Sequence, residues 1–135
     1  MPAPTRPRST ESRFRLLYLG DDLELMAALR KLPTKPDYRL VTCSDRESAI
    51  LFLKSEIPYD LLLIDLEWPG AEGLKLARLA HSQRHRKRMP IILVAATESS
   101  SEPKALARRS GVKECVAKTP DMSAVSEAIR HLIEG

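Results

Sequence analysis

Short apolar runs alternate along this chain with segments of helical period, and that alternation restricts the fold more than any single motif does. Phe14 to Leu19 reads as a strand, after which Leu23, Met26, Ala27 and Leu29 or Arg30 recur at helical spacing until Pro33. Tyr38 to Thr42 reads as a second strand. Ser44 with Glu47 three residues later forms a capping-box pattern, opening a helix through Ala49, Ile50, Phe52 and Leu53 that ends before Pro58. Leu61 to Ile64 is a continuous apolar run suited to a central strand buried on both faces, and Asp65 follows immediately. After Pro69-Gly70 turns the chain, a third helix is expected from about Glu72 to His81, with Leu74, Ala77 and Leu79 or Ala80 as its buried stripe. Pro90 introduces a fourth strand, Ile91 to Val94, and Gly111 ends a helix around Lys104 to Arg109. Glu114 to Ala117 is the fifth strand. The last helix runs from about Met122 to Ile133, with Val125, Ala128, Ile129 and Leu132 on one face.

Five strand-helix units in strict order imply an α/β fold, a parallel sheet with helices on both faces joined by right-handed crossovers. The 135 residues suit one domain, and 43% hydrophobic content lets it fold without a disulfide or structural metal. No apolar run approaches the ~18 residues of a membrane span, so no membrane insertion is expected. Residues 1–13 hold three prolines and three arginines and read as a flexible tail ahead of a domain spanning 14–135. They lack the apolar run of a secretory signal, and Cys43 and Cys115 are the only cysteines, so a cytoplasmic location with free thiols is expected.

The net charge of +4 is local rather than spread. The tail supplies +2 and Arg84, Arg86, Lys87 and Arg88 supply +4, leaving −2 for the rest. Four like charges in five residues with no interleaved aromatic read as a solvated loop rather than a nucleic-acid patch. His81 and His85 have the i, i+4 spacing of a metal pair but no third ligand to join them, and read as a solvated helix end.

In a doubly wound sheet the ligand site lies beyond the carboxyl ends of the strands. Strand one ends at Asp21-Asp22, strand three at Asp65, strand four at Ala95-Ala96-Thr97 and strand five at Lys118, so three carboxylates and one lysine are expected to converge on one edge. Asp22 alone would suit an N-cap. Asp65 opens no helix, and its charge beside two other carboxylates calls for a compensating cation, for which Mg2+ and Lys118 are the candidates.

The acidic pair Asp21-Asp22, the stretch D-L-E-W-P-G-A-E-G at 65–73 and Lys118 after strand five resemble a response-regulator receiver domain of two-component signalling. Pro69 and Gly73 keep the family's spacing from the aspartate, and the resemblance covers residues 14 to 133. It implies strand order 2-1-3-4-5 in a five-stranded parallel sheet with five helices. It also implies a phosphoryl group accepted on Asp65 from a histidine kinase or a histidine phosphotransfer protein. Asp22, Asp65 and the backbone carbonyl of Glu67 would hold Mg2+, with Asp21 contacting it through water, and Lys118 would offset phosphoryl charge. These 135 residues leave no length for an output domain, so a single-domain receiver, not an enzyme, is expected; a homodimer is left open. With the implied order Cys43 and Cys115 lie on opposite edge strands, roughly 19 Å apart and too far for a disulfide.

Three positions depart from the family pattern. Ala95 stands where a Ser or Thr hydroxyl usually contacts the phosphoryl group, and Thr97, two residues on, could compensate only if the loop bends differently. Cys115 replaces the Tyr or Phe that swings inward on activation, and in Lys118-Thr119-Pro120 the proline comes one residue late. Phosphoryl capture is therefore expected to be intact and output muted. The competing reading is a pseudo-receiver, a phosphorylation-independent interaction module. Trp68, three residues after Asp65, is expected to report metal binding by fluorescence; its plainer role would be an exposed apolar loop residue.

Overall fold

A computed structural model describes residues 14–32, 38–68, 72–96, 105, 108 and 111–134. Strands β1 (Phe14–Leu19), β2 (Tyr38–Cys43), β3 (Leu61–Asp65), β4 (Ile91–Ala95) and β5 (Glu114–Ala117) form one parallel sheet in the order β2-β1-β3-β4-β5. Among the described residues there are four helices, α1 (Leu23–Arg30), α2 (Arg46–Lys54), α3 (Gly73–Ser82) and α4 (Ser123–Glu134), and one 3-10 turn, Arg84–Arg86. Of the helix expected around 104–109 only Ala105 and Arg108 are described, and both are helical. The tail 1–13, the Pro69-Gly70 turn and Thr97 lie outside the described residues.

The sheet divides the core into two layers because alternate residues of each strand face opposite ways. Leu17, Leu19, Leu62, Ile64, Ile91 and Leu93 pack with Ala49 and Leu53 of α2 and with Leu76, Ala77 and Ala80 of α3. On the other face Leu16, Tyr18, Leu61, Leu63, Ile92 and Val94 pack with Leu25 and Leu29 of α1 and with Val125, Ile129 and Ile133 of α4. Every residue of β3 and β4 is buried, which explains their unbroken apolar runs. Each Leu or Ile so buried contributes about 1.5–3 kcal/mol before entropy is counted.

Several local expectations shift. The N-cap of α2 is Asp45 rather than Ser44, because its carboxylate accepts from Ser48 N (2.9 Å) and Ser48 Oγ (2.8 Å), and a negative charge suits a helix N-terminus. The buried stripe of α3 is Leu76, Ala77 and Ala80, with Leu74 and Leu79 only partly covered. Trp68 is not exposed; it joins the layer beneath α3.

The basic run is not a solvated loop throughout, since Arg86 is 2% exposed. Its Nε donates to Leu53 O (2.7 Å), and one terminal nitrogen donates to Phe52 O (3.1 Å), Ser55 O (2.8 Å) and Ile57 O (2.9 Å). Phe52 and Leu53 lie in the last turn of α2, Ser55 is its C-cap and Ile57 follows, so the guanidinium gathers carbonyls at and just past the helix end, where a cation also meets the negative end of the helix dipole. The guanidinium lies 5.0 Å from the centre of the Tyr59 ring. The two histidines also turn to main chain: His81 Nε2 lies 3.1 Å from Met89 O and His85 Nε2 2.7 Å from Ser55 O.

Candidate functional site

The carboxyl edge of the sheet is assembled by β1, β3 and β5. Strand β1 pairs with β3 up to Leu19 and Ile64, so Gly20 and Asp65 follow side by side; β3 pairs with β4, and β4 with β5 up to Ala95 and Ala117. Lys118 follows at once, its N–H donating to Ala95 O (2.8 Å). Its Nζ lies 2.7 Å from Asp22 Oδ2 and 2.9 Å from Asp65 Oδ2, bridging the two carboxylates.

Asp65 is 1% exposed, and both of its oxygens are engaged. Oδ2 accepts from Lys118 and from the Tyr18 hydroxyl (2.7 Å), and Oδ1 accepts from the Glu67 N–H (2.9 Å). Asp22 serves two purposes. Its Oδ1 caps α1 by accepting from Glu24 N (3.0 Å) and Leu25 N (3.1 Å), while Oδ2 holds Lys118. Burial alone would raise the Asp22 pKa, but the Lys118 hydrogen bond and the two N–H groups outweigh it and hold the carboxyl below its usual range. Desolvation would lower the Lys118 pKa, yet hydrogen bonds to Asp22 and Asp65 raise it above the ordinary lysine value. The resting site is therefore an ammonium clamped between two carboxylates.

Asp21 does not join them; it is exposed, as adjacent residues of extended chain point opposite ways. No group of three or more His, Cys, Asp or Glu side chains able to hold a metal ion occurs among the described residues. The expected convergence of three carboxylates is thus a convergence of two. Two carboxylates still suit a small divalent cation, since Mg2+ takes one or two of them and completes its shell with water and carbonyl oxygen.

Sequence reasoning missed Tyr18 and Gly20. A Cβ at Gly20 would lie 2.4 Å from the Tyr18 hydroxyl oxygen and 2.7 Å from Asp65 Cβ, so the missing side chain opens the slot through which the phenol reaches Asp65. The available signal was a polar-tipped Tyr in an apolar strand with Gly two residues on, hence on the same face.

A family model described as the response regulator receiver domain matches residues 16–130. The chain belongs to that family. This receiver domain of two-component signalling is 28% identical over 108 residues, or 79% of its length, to the CAI-1 autoinducer sensor kinase/phosphatase CqsS of Vibrio cholerae. Over 92 residues, 67% of its length, it is 29% identical to the Fimbriae Z protein of Salmonella typhimurium. It spans 16% of the first relative and 41% of the second. Among solved structures it is similar to a response regulator from Hahella chejuensis, with a TM-score of 0.76, 18% identity, and coverage of 87% of this chain and 92% of that one. It is also similar to the receiver domain of a sensor histidine kinase from Pseudomonas aeruginosa PAO1, with a TM-score of 0.71, 21% identity, and coverage of 92% of this chain and all of that one. That structure holds a magnesium ion in its active site cleft.

In this receiver Ala95 closes β4 with no hydroxyl to offer, and half-buried Cys115 occupies β5. Burial pushes its thiol pKa up, as it does that of Cys43 on the opposite edge strand; both thiols are free. No helix among the described residues is long and apolar enough to cross a membrane.

Proposed function

We propose that this receiver accepts a phosphoryl group on Asp65 from a phosphohistidine, presented by a histidine kinase or a histidine phosphotransfer protein in the cytoplasm. The observation that carries this reading is the buried Asp65 carboxylate at the mouth of the central strand, joined to Asp22 by the Lys118 ammonium. A carboxylate is a competent nucleophile for phosphoryl transfer, so no general base is needed. Lys118 can turn from Asp65 Oδ2 to the incoming phosphoryl oxygens and offset their charge, while the Glu67 N–H keeps Asp65 oriented. Asp22, Asp65 and the Glu67 carbonyl would hold Mg2+, with Asp21 reaching it through water. When bound, the ion supplies positive charge that lowers repulsion between carboxylate and donor. The domain acts as a phosphoacceptor in signalling rather than as an enzyme with a substrate of its own.

Readout is the atypical part. Ala95 offers no hydroxyl to a phosphoryl group, which forgoes about 1 kcal/mol or somewhat more of charge-assisted hydrogen bonding, and Cys115 has no ring to swing inward. Output through β4 and β5 is therefore muted unless Thr97 takes over. The test is intact mass after incubation with Mg2+ and phosphoramidate, for wild type and Asp65→Ala, with EDTA as control. One phosphoryl adduct, lost in EDTA and in the variant, is expected. A folded protein with no adduct in any sample would instead favour a phosphorylation-independent interaction module.

A further inference from the structure

The hydroxyl absent from β4 has a counterpart on β1, and it faces the acceptor rather than the incoming group. Tyr18 is fully buried among Leu16, Leu25, Leu63 and their neighbours, and its hydroxyl stands between Asp22 and Asp65. The Asp22 N–H donates to the phenolic oxygen at 3.2 Å, which commits the phenolic proton to Asp65 Oδ2 at 2.7 Å. The slot exists because residue 20 is glycine.

We infer that Tyr18 is a positioning residue that biases Asp65 toward its unphosphorylated state, acting as a fixed brake on phosphoryl capture and retention. The inference rests on the reading of Asp65 as the phosphoacceptor. In the forward step an Asp65 oxygen attacks phosphorus, the P–N bond of the donor breaks, and its electron pair leaves with nitrogen. The carboxylate becomes the carbonyl and ester oxygens of an acyl phosphate. Hydrogen bonds to ionised acceptors are roughly twice as strong as those to neutral ones, so the Tyr18 bond weakens when Asp65 is phosphorylated. In the loss step water attacks phosphorus, the bond to Asp65 breaks, and the electron pair returns to the carboxylate while a water proton passes to phosphate or solvent. Tyr18 then stabilises the leaving carboxylate and speeds the loss.

Lys118 differs, because it lies at the open edge with its side chain 14% exposed and can follow the phosphoryl group. The Tyr18 ring is locked in the core and cannot. Burial, first, and then the hydrogen bond to Asp65 push the phenol pKa far above the ordinary tyrosine value, so the hydroxyl remains a donor.

The test compares wild type, Tyr18→Phe, Tyr18→Leu and Asp65→Ala by intact mass, first during incubation with phosphoramidate and Mg2+ and then after the donor is removed. Both hydroxyl-free variants are expected to gain the adduct faster and lose it more slowly, each by roughly five-fold. Opposite movement of the two rates separates a hydroxyl effect from a loosened site, which would slow capture and hasten loss. If either folded variant keeps both rates within two-fold of wild type, or captures more slowly, the brake is refuted and Tyr18 only packs. An adduct on wild type that Asp65→Ala abolishes keeps the acceptor reading intact in that case. No adduct on any protein overturns both.

Discussion

Asp65 and Arg86 are the two buried charged side chains among the described residues, and they stand at opposite ends of the sheet. Asp65 closes β3 at the carboxyl edge; Arg86 follows α3, where the chain has returned to enter β4. Both are almost sealed from water, yet their charges are met differently. Asp65 faces an ammonium, a phenol and one backbone N–H. Arg86 faces four backbone carbonyls and the face of an aromatic ring. Side-chain partners can be exchanged when a new ligand arrives, whereas carbonyls at a helix end are fixed by the fold. A buried charge of the first kind can do chemistry, and one of the second kind holds two segments together.

The largest stability effect is expected at the structural end. Arg86→Met takes the guanidinium from Leu53 O and Ile57 O, while Phe52 O keeps Ser55 and Ser55 O keeps His85, and should cost about 3–4 kcal/mol. That corresponds to a melting temperature lower by on the order of 10 °C, with capture of the phosphoryl group unaffected in the folded protein. A loss below about 1 kcal/mol in denaturant melts would mean that water replaces the guanidinium. Such a result would break the contrast between the two ends.

Next comes Lys118→Met, which leaves two carboxylates facing each other with one of them buried. A cost of about 2 kcal/mol is expected, less than for a fully enclosed pair because Asp22 retains access to solvent. Unlike Arg86→Met, this change should also abolish the adduct at Asp65. Normal phosphorylation in Lys118→Met would show that this end too is mainly structural.

The smallest effect is the pH dependence, on the order of 1 kcal/mol. Asp22 has a lowered pKa, so its contribution is complete above the ordinary carboxylate value of 3.8 and is lost as the pH falls through a lower one. Lys118 has a raised pKa, so its contribution is complete below the ordinary 10.5 and is lost as the pH rises past a higher one. Denaturant melts across pH should show both limbs in wild type, with the alkaline one reduced in Lys118→Met. An unchanged alkaline limb would assign it to other groups.

The two ends also differ in how far they can be recognised without coordinates. Asp65 interrupts an apolar strand where nothing calls for a cap, so its chemistry stands out in one dimension, as do Asp22 and Lys118 at neighbouring strand ends. Arg86 is one of four cations in five residues, and nothing in its sequence setting separates it from exposed Arg84, Lys87 and Arg88. Asp21 and Asp22 are equivalent in sequence, yet Asp21 is exposed and Asp22 half-buried, since adjacent residues of extended chain point opposite ways. The capping box misleads because Ser44 and Asp45 are both competent caps, and it is the Asp45 carboxylate that accepts from Ser48.

The alternation of apolar runs and helical periods was enough, by itself, to determine an α/β sheet with two covered faces, because burying each face demands its own residue period. It also determined the strand ends at which Asp22, Asp65 and Lys118 stand. Only the tertiary structure decided which of these groups meet, that Asp21 stays apart, that Gly20 opens a path for Tyr18, and that Arg86 is taken out of water. Those outcomes depend on register, side-chain reach and the ends of neighbouring helices, and such distances join residues 29–34 or 47 positions apart that no local pattern relates.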